Sequence, residues 1–260
     1  MGSLAGKSPA NTYKSLLKVA DETNGVSGSA SQIEDGEGTS TCLQISTTVA
    51  HFKPASDVNA ALKVERANGD DLLTVDTNNS LVKVGTSQVS ATTQLLMFNA
   101  YRVVPASAGT HYFVGLPTGE YQSHNVELSV GTGTDPDTSK DAGTSTQYLA
   151  NYLFPVPFNV TIDACKAFIS SHQDTDITVN AHLMSYDMVA DGTTNDGNLS
   201  NGTVLADGQA TSVDRNVIKT VDCTIQNSSV TSGKVIALAV ENVTNTDYIN
   251  IQVQVKYHIA

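Results

Sequence analysis

Apolar and polar residues alternate along much of this 260-residue chain, and a period of two predicts β-strands. The last run, DYINIQVQVKYHI, shows the alternation most clearly. Its apolar side chains between Ile249 and Ile259 point to one face, and its Asn, Gln, Lys and His side chains point to the other. A shift of one residue would expose the whole apolar set, so the register of this strand is well specified.

Similar runs recur from about residue 95 onward, in LLMFNAYRVV, HYFVGL, NVTIDACKAFISS, DITVNAHLMSYDMV and GKVIALAVEN. The last of these is apolar on both faces, which indicates a central strand. About eight strands with turn-rich connections are typical of an all-β sandwich. Residues 95–260 are therefore predicted to form a jelly-roll-like antiparallel β-sandwich.

Residues 41–94 contain a thinner β region. The stretch LKVERANGDDLLTVDTNNSLVKVG (62–85) predicts three strands of about five residues, separated by NGDD and TNNS turns. Their apolar residues fall on one face: Leu62, Val64, Leu73, Val75, Val82 and Val84. A meander this small is marginal by itself. We expect either three copies sharing one core in a trimeric β-prism-like region, or one copy packed on its own sandwich.

Residues 1–40 are predicted to form an N-terminal arm, because the first twelve are small and polar and residues 21–40 are rich in Gly, Ser and acidic residues. A short apolar segment between them is expected to anchor the chain. Its residues are Tyr13, Leu16, Leu17 and Val19. Tyr13, Leu16, Leu17 and Ala20 have the spacing of one face of a short helix. The alternative is an extended segment in which Tyr13, Leu16 and Val19 dock on a partner.

Composition and charge narrow the range of partners. Charged residues make up 15% of the chain, Trp is absent and the net charge is −12. No basic patch is present to follow a phosphate backbone, so we expect no nucleic-acid partner. No apolar run is long enough to cross a bilayer, and the N-terminus lacks an apolar signal-peptide core, so no membrane insertion is expected.

The sequence contains no recognisable catalytic motif such as GxSxG, HExxH or a Walker loop, which favours a protein without enzymatic activity or cofactor. Glycosidase carboxylates meet only in space, and nothing in the sequence points to such a pair. Cys42, Cys165 and Cys223 are far apart, which predicts free and mostly buried thiols. The histidines lack metal-ligand spacing, and His182 and His258 are expected to be solvated on polar strand faces.

Loops 131–146 and 187–212 are candidates for contact with a host-surface glycan. Each contains an acidic stretch, DPDTSKDAG (135–143) in the first and DGTTNDGN (191–198) in the second. Calcium binding is the alternative, but neither loop has EF-hand spacing, and Asp-Pro and Asp-Gly are common in turns. The expected contact residues are Asp135, Asp137, Asp141, Tyr148, Tyr186, Asp191 and Asp196.

Two segments resemble bacteriophage virion appendage proteins. The stretch LKVERANGDDLLTVDTNNSLVKVGTS (62–87) resembles their G-D-x-L-x-V-D-T-x-N-x-x-V-x-V-G-T segments. The stretch TYKSLLKVADETNGVSGSASQIEDGEGTSTCLQIST (12–47) is similar to their virion-anchoring N-termini, in the order Y-x-x-L-L, DGEGT and LQIST. The resemblance implies a homotrimer in the virion, attached through its N-terminus to capsid, neck or tail proteins.

The chain has no collagen-like repeat or heptad coil, so the resemblance implies a short tail fibre, a spike or a capsid decoration protein rather than a long fibre. A stand-alone carbohydrate-binding module is a further alternative, although the absence of Trp removes the usual sugar-stacking platform. A β-sandwich hydrolase has no motif in its favour. The predicted function is therefore a non-enzymatic virion structural protein.

Overall fold

The computed structural model describes residues 16–21, 23–87, 89–103, 107–117, 128–141, 149–173, 176–190 and 196–260. The regular structure among these residues is β-strand, apart from one short 3-10 helix at Ala150–Tyr152. The predicted all-β class is confirmed. The chain divides into two compact units, 1–91 and 92–260.

The first unit begins with a four-stranded antiparallel sheet in chain order. Its strands are β1 (Lys18–Val19), β2 (Ser31–Glu34), β3 (Ser40–Ile45) and β4 (Ala50–Phe52). Val19 lies opposite Ile33, which is the buried residue of this sheet. The boundary expected at residue 40 thus falls inside a sheet, and the described part of the predicted arm is extended rather than helical.

A second four-stranded antiparallel sheet follows in the same unit. Its strands are β5 (Leu62–Glu65), β6 (Asp71–Asp76), β7 (Leu81–Val84) and β8 (Val89–Ser90). Its register places Leu62, Val75 and Val82 in one row across the sheet. Val64, Leu73 and Val84 form the next row, so all six predicted residues share one face.

The described residues of the second unit form ten strands, and no helix among them is long and apolar enough to cross a membrane. The strands before residue 172 are β9 (Thr93–Val103), β10 (His111–Val114), β11 (Phe154–Pro155) and β12 (Val160–Ser171). The later strands are β13 (Ile177–Met188), β14 (Leu199–Val213), β15 (Lys219–Ile225), β16 (Ser229–Val230), β17 (Lys234–Asn242) and β18 (Ile249–Ile259).

Eight of these strands form a continuous antiparallel path in the order β10-β17-β13-β14-β15-β12-β18-β9. The path folds over where β14 and β15 join through only two residue pairs, Ala206–Ile225 and Asp207–Thr224. The two halves of the path are β10-β17-β13-β14 and β15-β12-β18-β9. When the eight strands are numbered one to eight along the chain, these halves have the orders 2-7-4-5 and 6-3-8-1. This is the strand order of a jelly roll, so the predicted sandwich is confirmed.

Two apolar layers stabilise the sandwich. The main core lies between the two halves and contains Phe98, Ile169, Leu183 and Val253. A second cluster lies on the outer face of the first half and includes Phe113, Leu128, Leu149, Tyr186 and Ala237. Segment 128–141 covers that outer face by pairing Ser129 with Tyr112 and Lys140 with Leu199. This cover explains why β17 is apolar on both faces.

Candidate functional site

The small sheet β5–β8 exposes one apolar face, formed by Leu62, Val64, Leu73, Val75, Val82 and Val84 and called here the valine face. Val64 is 44% exposed, and Val82 and Val84 are each 43% exposed. The other three are half-buried. A contiguous exposed aliphatic surface is a common mark of an interaction site.

The opposite face of the same sheet carries the buried polar groups. Thr74 and Asp76 are buried, at 3% and 1% exposure. Lys83 Nζ lies 2.6 Å from Asp76 Oδ2, and the side-chain amide of Asn79 donates to the same oxygen at 2.9 Å. These hydrogen bonds, that of Lys83 foremost, lower the pKa of Asp76 to about 2. Polar groups are therefore buried while aliphatic ones face solvent, the reverse of the usual preference.

The predicted anchoring residues are only partly available for contact. Leu16 and Leu17 are exposed, at 45% and 69%. Val19 is half-buried in β1, where it pairs with Ile33. Tyr13 lies outside the described residues.

The prediction of receptor loops is wrong in part, because the predicted loop 187–212 contains most of strand β14 (Leu199–Val213). Among the expected contact residues that the structure describes, the aspartates are exposed and one tyrosine is not. Asp135, Asp137, Asp141 and Asp196 are solvent-accessible. Tyr148 and Asp191 lie outside the described residues.

Tyr186 is the exception, because it is fully buried on β13. Its hydroxyl donates to the carbonyl oxygen of Asp137 at 3.0 Å, and burial raises its pKa. The expectation that Tyr186 contacts a host surface is corrected accordingly: this side chain holds segment 128–141 against the sheet.

Three ionisable side chains meet on the outer face of the sandwich, near the second apolar cluster. Glu241 lies on β17, directly opposite His111 on β10. His182 lies on the other neighbouring strand, β13, opposite Ala239. One potential ligand atom from each of the three residues lies within 4.8 Å of the others. We call this group the His–Glu cluster.

All three side chains of the His–Glu cluster are buried. His111 is 0%, His182 4% and Glu241 6% exposed. The His111 and His182 rings meet edge to face with centroids 4.9 Å apart. Neither nitrogen of either ring makes a hydrogen bond of good geometry among the described residues. A buried polar group left without a partner costs about 1–3 kcal/mol, so this arrangement is unusual for a purely structural core.

The surroundings of the His–Glu cluster determine its charge. Burial lowers the pKa of both His111 and His182, which keeps the rings neutral near pH 7. Glu241 Oε2 accepts a hydrogen bond from the side-chain amide of Asn180 at 2.7 Å. Asn180 Oδ1 in turn accepts from Gln209 at 2.8 Å. The carboxylate is therefore held in a fixed orientation by a two-residue chain of amides.

The expectation that His182 is solvated is wrong, and the reason is tertiary. Alternation along β13 places His182 on the same side as Asn180 and opposite Ala181 and Leu183, which correctly separates it from the main core. Segment 128–141 then covers that side. His258 also departs from a free surface position, because its Nδ1 lies 2.8 Å from Asp163 Oδ1. The three residues of the His–Glu cluster lie far apart along the chain, so no spacing motif in the sequence indicated that they meet.

No family model matches the chain, and no curated protein sequence matches it. A Clostridium thermocellum xylanase structure with CBM22 and GH10 modules, complexed with xylohexaose, matches 63% of this chain and 26% of its own, at 10% identity and a TM-score of 0.23. An infectious bursal disease virus structure, Gx strain, matches 74% of this chain and 64% of its own, at 8% identity and a TM-score of 0.25. The Gt strain structure covers 68% of this chain and 44% of its own, at 6% identity and a TM-score of 0.20.

The match spans less than two thirds of each of these three chains. Because all three TM-scores are low, the assignment of the fold rests on this chain's own strand order. Function is argued from its own side chains.

Proposed function

We propose that this chain is a non-enzymatic structural protein of a bacteriophage particle, a homotrimeric short fibre or spike. The first unit attaches it to other virion proteins, and the jelly-roll unit projects outward with its acidic loops toward the host surface. The single observation that carries the proposal is the valine face, which is apolar and exposed on a sheet too thin to form a core alone.

The valine face supports self-association in particular. Its residues come from three paired strands and form two aligned rows, so the surface is flat and continuous. The polar side of the sheet is already occupied by the Asp76–Lys83 pair and by Lys63, which lies 2.8 Å from both Glu65 and Asp71. Burial of several valine and leucine side chains against copies of themselves stabilises by about 25 cal/mol per Å² of apolar surface.

The number of copies and the virion location come from the resemblance of residues 12–47 and 62–87 to phage appendage proteins. Three copies around one axis place three equivalent valine faces against each other in a closed assembly. The exposed side chains of Leu16 and Leu17 then remain for attachment. Asp135, Asp137 and Asp141 lie in the jelly-roll unit, where exposed carboxylates suit a polar partner such as a glycan.

Light scattering of the full-length protein tests the self-association. We expect a mass about three times that of the 27.3 kDa chain. Val82→Asp should shift the mass to that of a monomer, because a carboxylate would be buried in an apolar contact. Val82→Ile preserves the apolar surface and should leave the mass unchanged.

A second control adds the same charge elsewhere. Leu95 is 70% exposed on the jelly-roll unit, and Leu95→Asp should leave the mass of the wild type unchanged. A wild-type chain that stays monomeric over a wide concentration range would contradict the trimer and favour a stand-alone binding module.

Attachment is tested on particles. The protein should be detected by mass spectrometry in purified virions of the phage that encodes it. A Leu16→Asp/Leu17→Asp chain should form the same oligomer but not be incorporated. Virions that lack the wild-type protein would exclude the appendage function, and normal incorporation of the variant would place the attachment surface elsewhere.

A further inference from the structure

We propose that the His–Glu cluster binds one divalent transition-metal ion of the zinc class, ligated by His111, His182 and Glu241, with Asp135 as the fourth ligand. This site does not depend on the proposed appendage function, but it assigns the Asp135 carboxylate to the ion and leaves Asp137 and Asp141 for contact with a glycan. Its role is structural: the ion joins segment 128–141 to the strands β10, β13 and β17 beneath it.

The geometry brings the ligands together from three neighbouring strands. Glu241 is on the middle strand, and the two imidazoles flank it from β10 and β13. Ligands bound to zinc at 2.0–2.2 Å are roughly 3.3–3.5 Å apart in a tetrahedral site. The observed separations of up to 4.8 Å are slightly larger, and small rotations of the side chains bring the atoms to that distance.

The bonding of these side chains also fits a metal site better than a hydrogen-bonded core. His111 Nε2 and Glu241 Oε2 are 3.6 Å apart, which is too long for a hydrogen bond. In the described part of the chain, the imidazole nitrogens make no hydrogen bond of good geometry, and the backbone of Gly131 is the group that acts on the His111 ring as an acceptor. Two neutral imidazoles and one carboxylate form a donor set that zinc and similar divalent ions use in proteins.

Asp135 is the nearest candidate to complete the coordination. Its Oδ1 lies 3.8 Å from His182 Nδ1, and its side chain is 56% exposed on segment 128–141. Two further carboxylates, Asp137 and Asp207, act on the same imidazoles through space. Together with Glu241 they make this corner of the sandwich strongly negative, which favours a cation.

The supporting hydrogen bonds resemble those around known metal ligands. Gln209 donates to Asn180, and Asn180 donates to Glu241. Groups that orient a ligand in this way typically change metal affinity by about 10–100-fold when removed. The amide chain therefore fixes Glu241 Oε2, the oxygen that lies 3.6 Å from His111 Nε2, beside the imidazoles.

The test uses the full-length protein after removal of any affinity tag and treatment with a chelator. Isothermal titration with zinc sulfate should show one site per chain, and elemental analysis after gel filtration should find about one zinc per chain. Titration with cobalt should give the visible absorption of a four-coordinate site with nitrogen and oxygen ligands. A folded wild-type protein that binds no zinc would overturn the proposal.

Variants locate the site. Glu241→Gln and His182→Gln should each weaken zinc binding by 100-fold or more, and Asp135→Asn by at least about 10-fold. His258→Gln removes an imidazole that lies against Asp163, away from the cluster, and should leave the affinity unchanged. Circular dichroism checks that each variant is folded.

Asp135 is exposed, so its variant remains informative even if the buried variants fail to fold. Wild-type affinity in both Glu241→Gln and Asp135→Asn would overturn the site. Wild-type affinity in Asp135→Asn alone would overturn its assignment as the fourth ligand.

Discussion

Asp76 and Lys83 form an ion pair on the polar side of the small sheet, with Lys83 Nζ 2.6 Å from Asp76 Oδ2. The Asp76 carboxylate is buried while Val82 and Val84, on the other side of the same strand β7, are exposed. The pair therefore lies on the polar side of the sheet, near the turn that joins β6 to β7, and the apolar side of the same sheet is exposed. Its ionisation state should control the stability of that sheet.

Acid should destabilise the first unit through Asp76. Its pKa is about 2 in the folded protein, against an ordinary value near 3.9, so the unfolded state binds the proton more readily. The stabilisation is fully present above about pH 4 and is lost as the pH falls from about 4 to about 2. Thermal melts of the wild type between pH 6 and pH 2 should show this loss.

Asp76→Asn should melt lower at pH 6 and show a smaller change below pH 4. Asp57→Asn removes a carboxylate at an exposed position of the same unit and should behave as the wild type. Equal acid sensitivity in wild type and Asp76→Asn would contradict this assignment.

A methyl group at position 202 should destabilise the contact between β14 and segment 128–141. A Cβ at Gly202 would lie 2.5 Å from Tyr186 Cε1 and 2.8 Å from the Cα of Thr138. Overpacking of this kind costs about 1–3 kcal/mol, so we expect Gly202→Ala to lower the free energy of unfolding in urea by that amount.

The control for this substitution is Gly115→Ala. The nearest atom to its added Cβ would be the carbonyl oxygen of Asn151, at an ordinary 3.6 Å. A Gly202→Ala chain as stable as the wild type would show that segment 128–141 moves away without cost.

Two adjacent leucines on β9 should differ sharply in their contribution to stability. Leu96 is 6% exposed and belongs to the main core, while Leu95 is 70% exposed. Leu96→Ala should cost about 2–5 kcal/mol through lost burial and the cavity left behind. Leu95→Ala should change stability by about 0.5 kcal/mol or less. Similar losses at both positions in urea unfolding would refute the register of β9.

The thiols of Cys42 and Cys165 should react with a maleimide at different rates. Cys42 is exposed and Cys165 is buried. Cys165 lies opposite Cys223 across β12 and β15, and the hydrogen bond between their thiols, together with burial, raises the pKa of Cys165. A maleimide should therefore label Cys42 quickly in the native protein and Cys165 only after unfolding. Peptide mass mapping would check this, with Cys42→Ser as the control.

Much of the fold was predictable because strand alternation is a local property. The apolar set of β18 from Ile249 to Val255 is buried as alternation predicts. The row of Leu62, Val75 and Val82 forms because NGDD and TNNS turns align the strands that carry them. The wide spacing of the three cysteines correctly predicted free thiols, but the expectation that most of them are buried is wrong, because only Cys165 is buried.

The candidate sites were predictable only in part. Alternation assigned the six residues of the valine face to one side of their sheet. It separated His182 from the main core but could not show that segment 128–141 covers it. Tyr186 was expected to contact a host surface because it neighbours the predicted loop 187–212, but its side chain is buried on β13 and donates to the carbonyl oxygen of Asp137.

The sequence by itself determined most of the strands, although not β14, and which side of those strands is apolar, since both depend on neighbours two residues apart. The tertiary structure decided what lies against each side. His111, His182 and Glu241 come from strands that are distant in the chain and adjacent in the jelly roll. Their meeting depends on the strand order, which arises from long connections between the two halves and leaves no periodic pattern in the residues themselves.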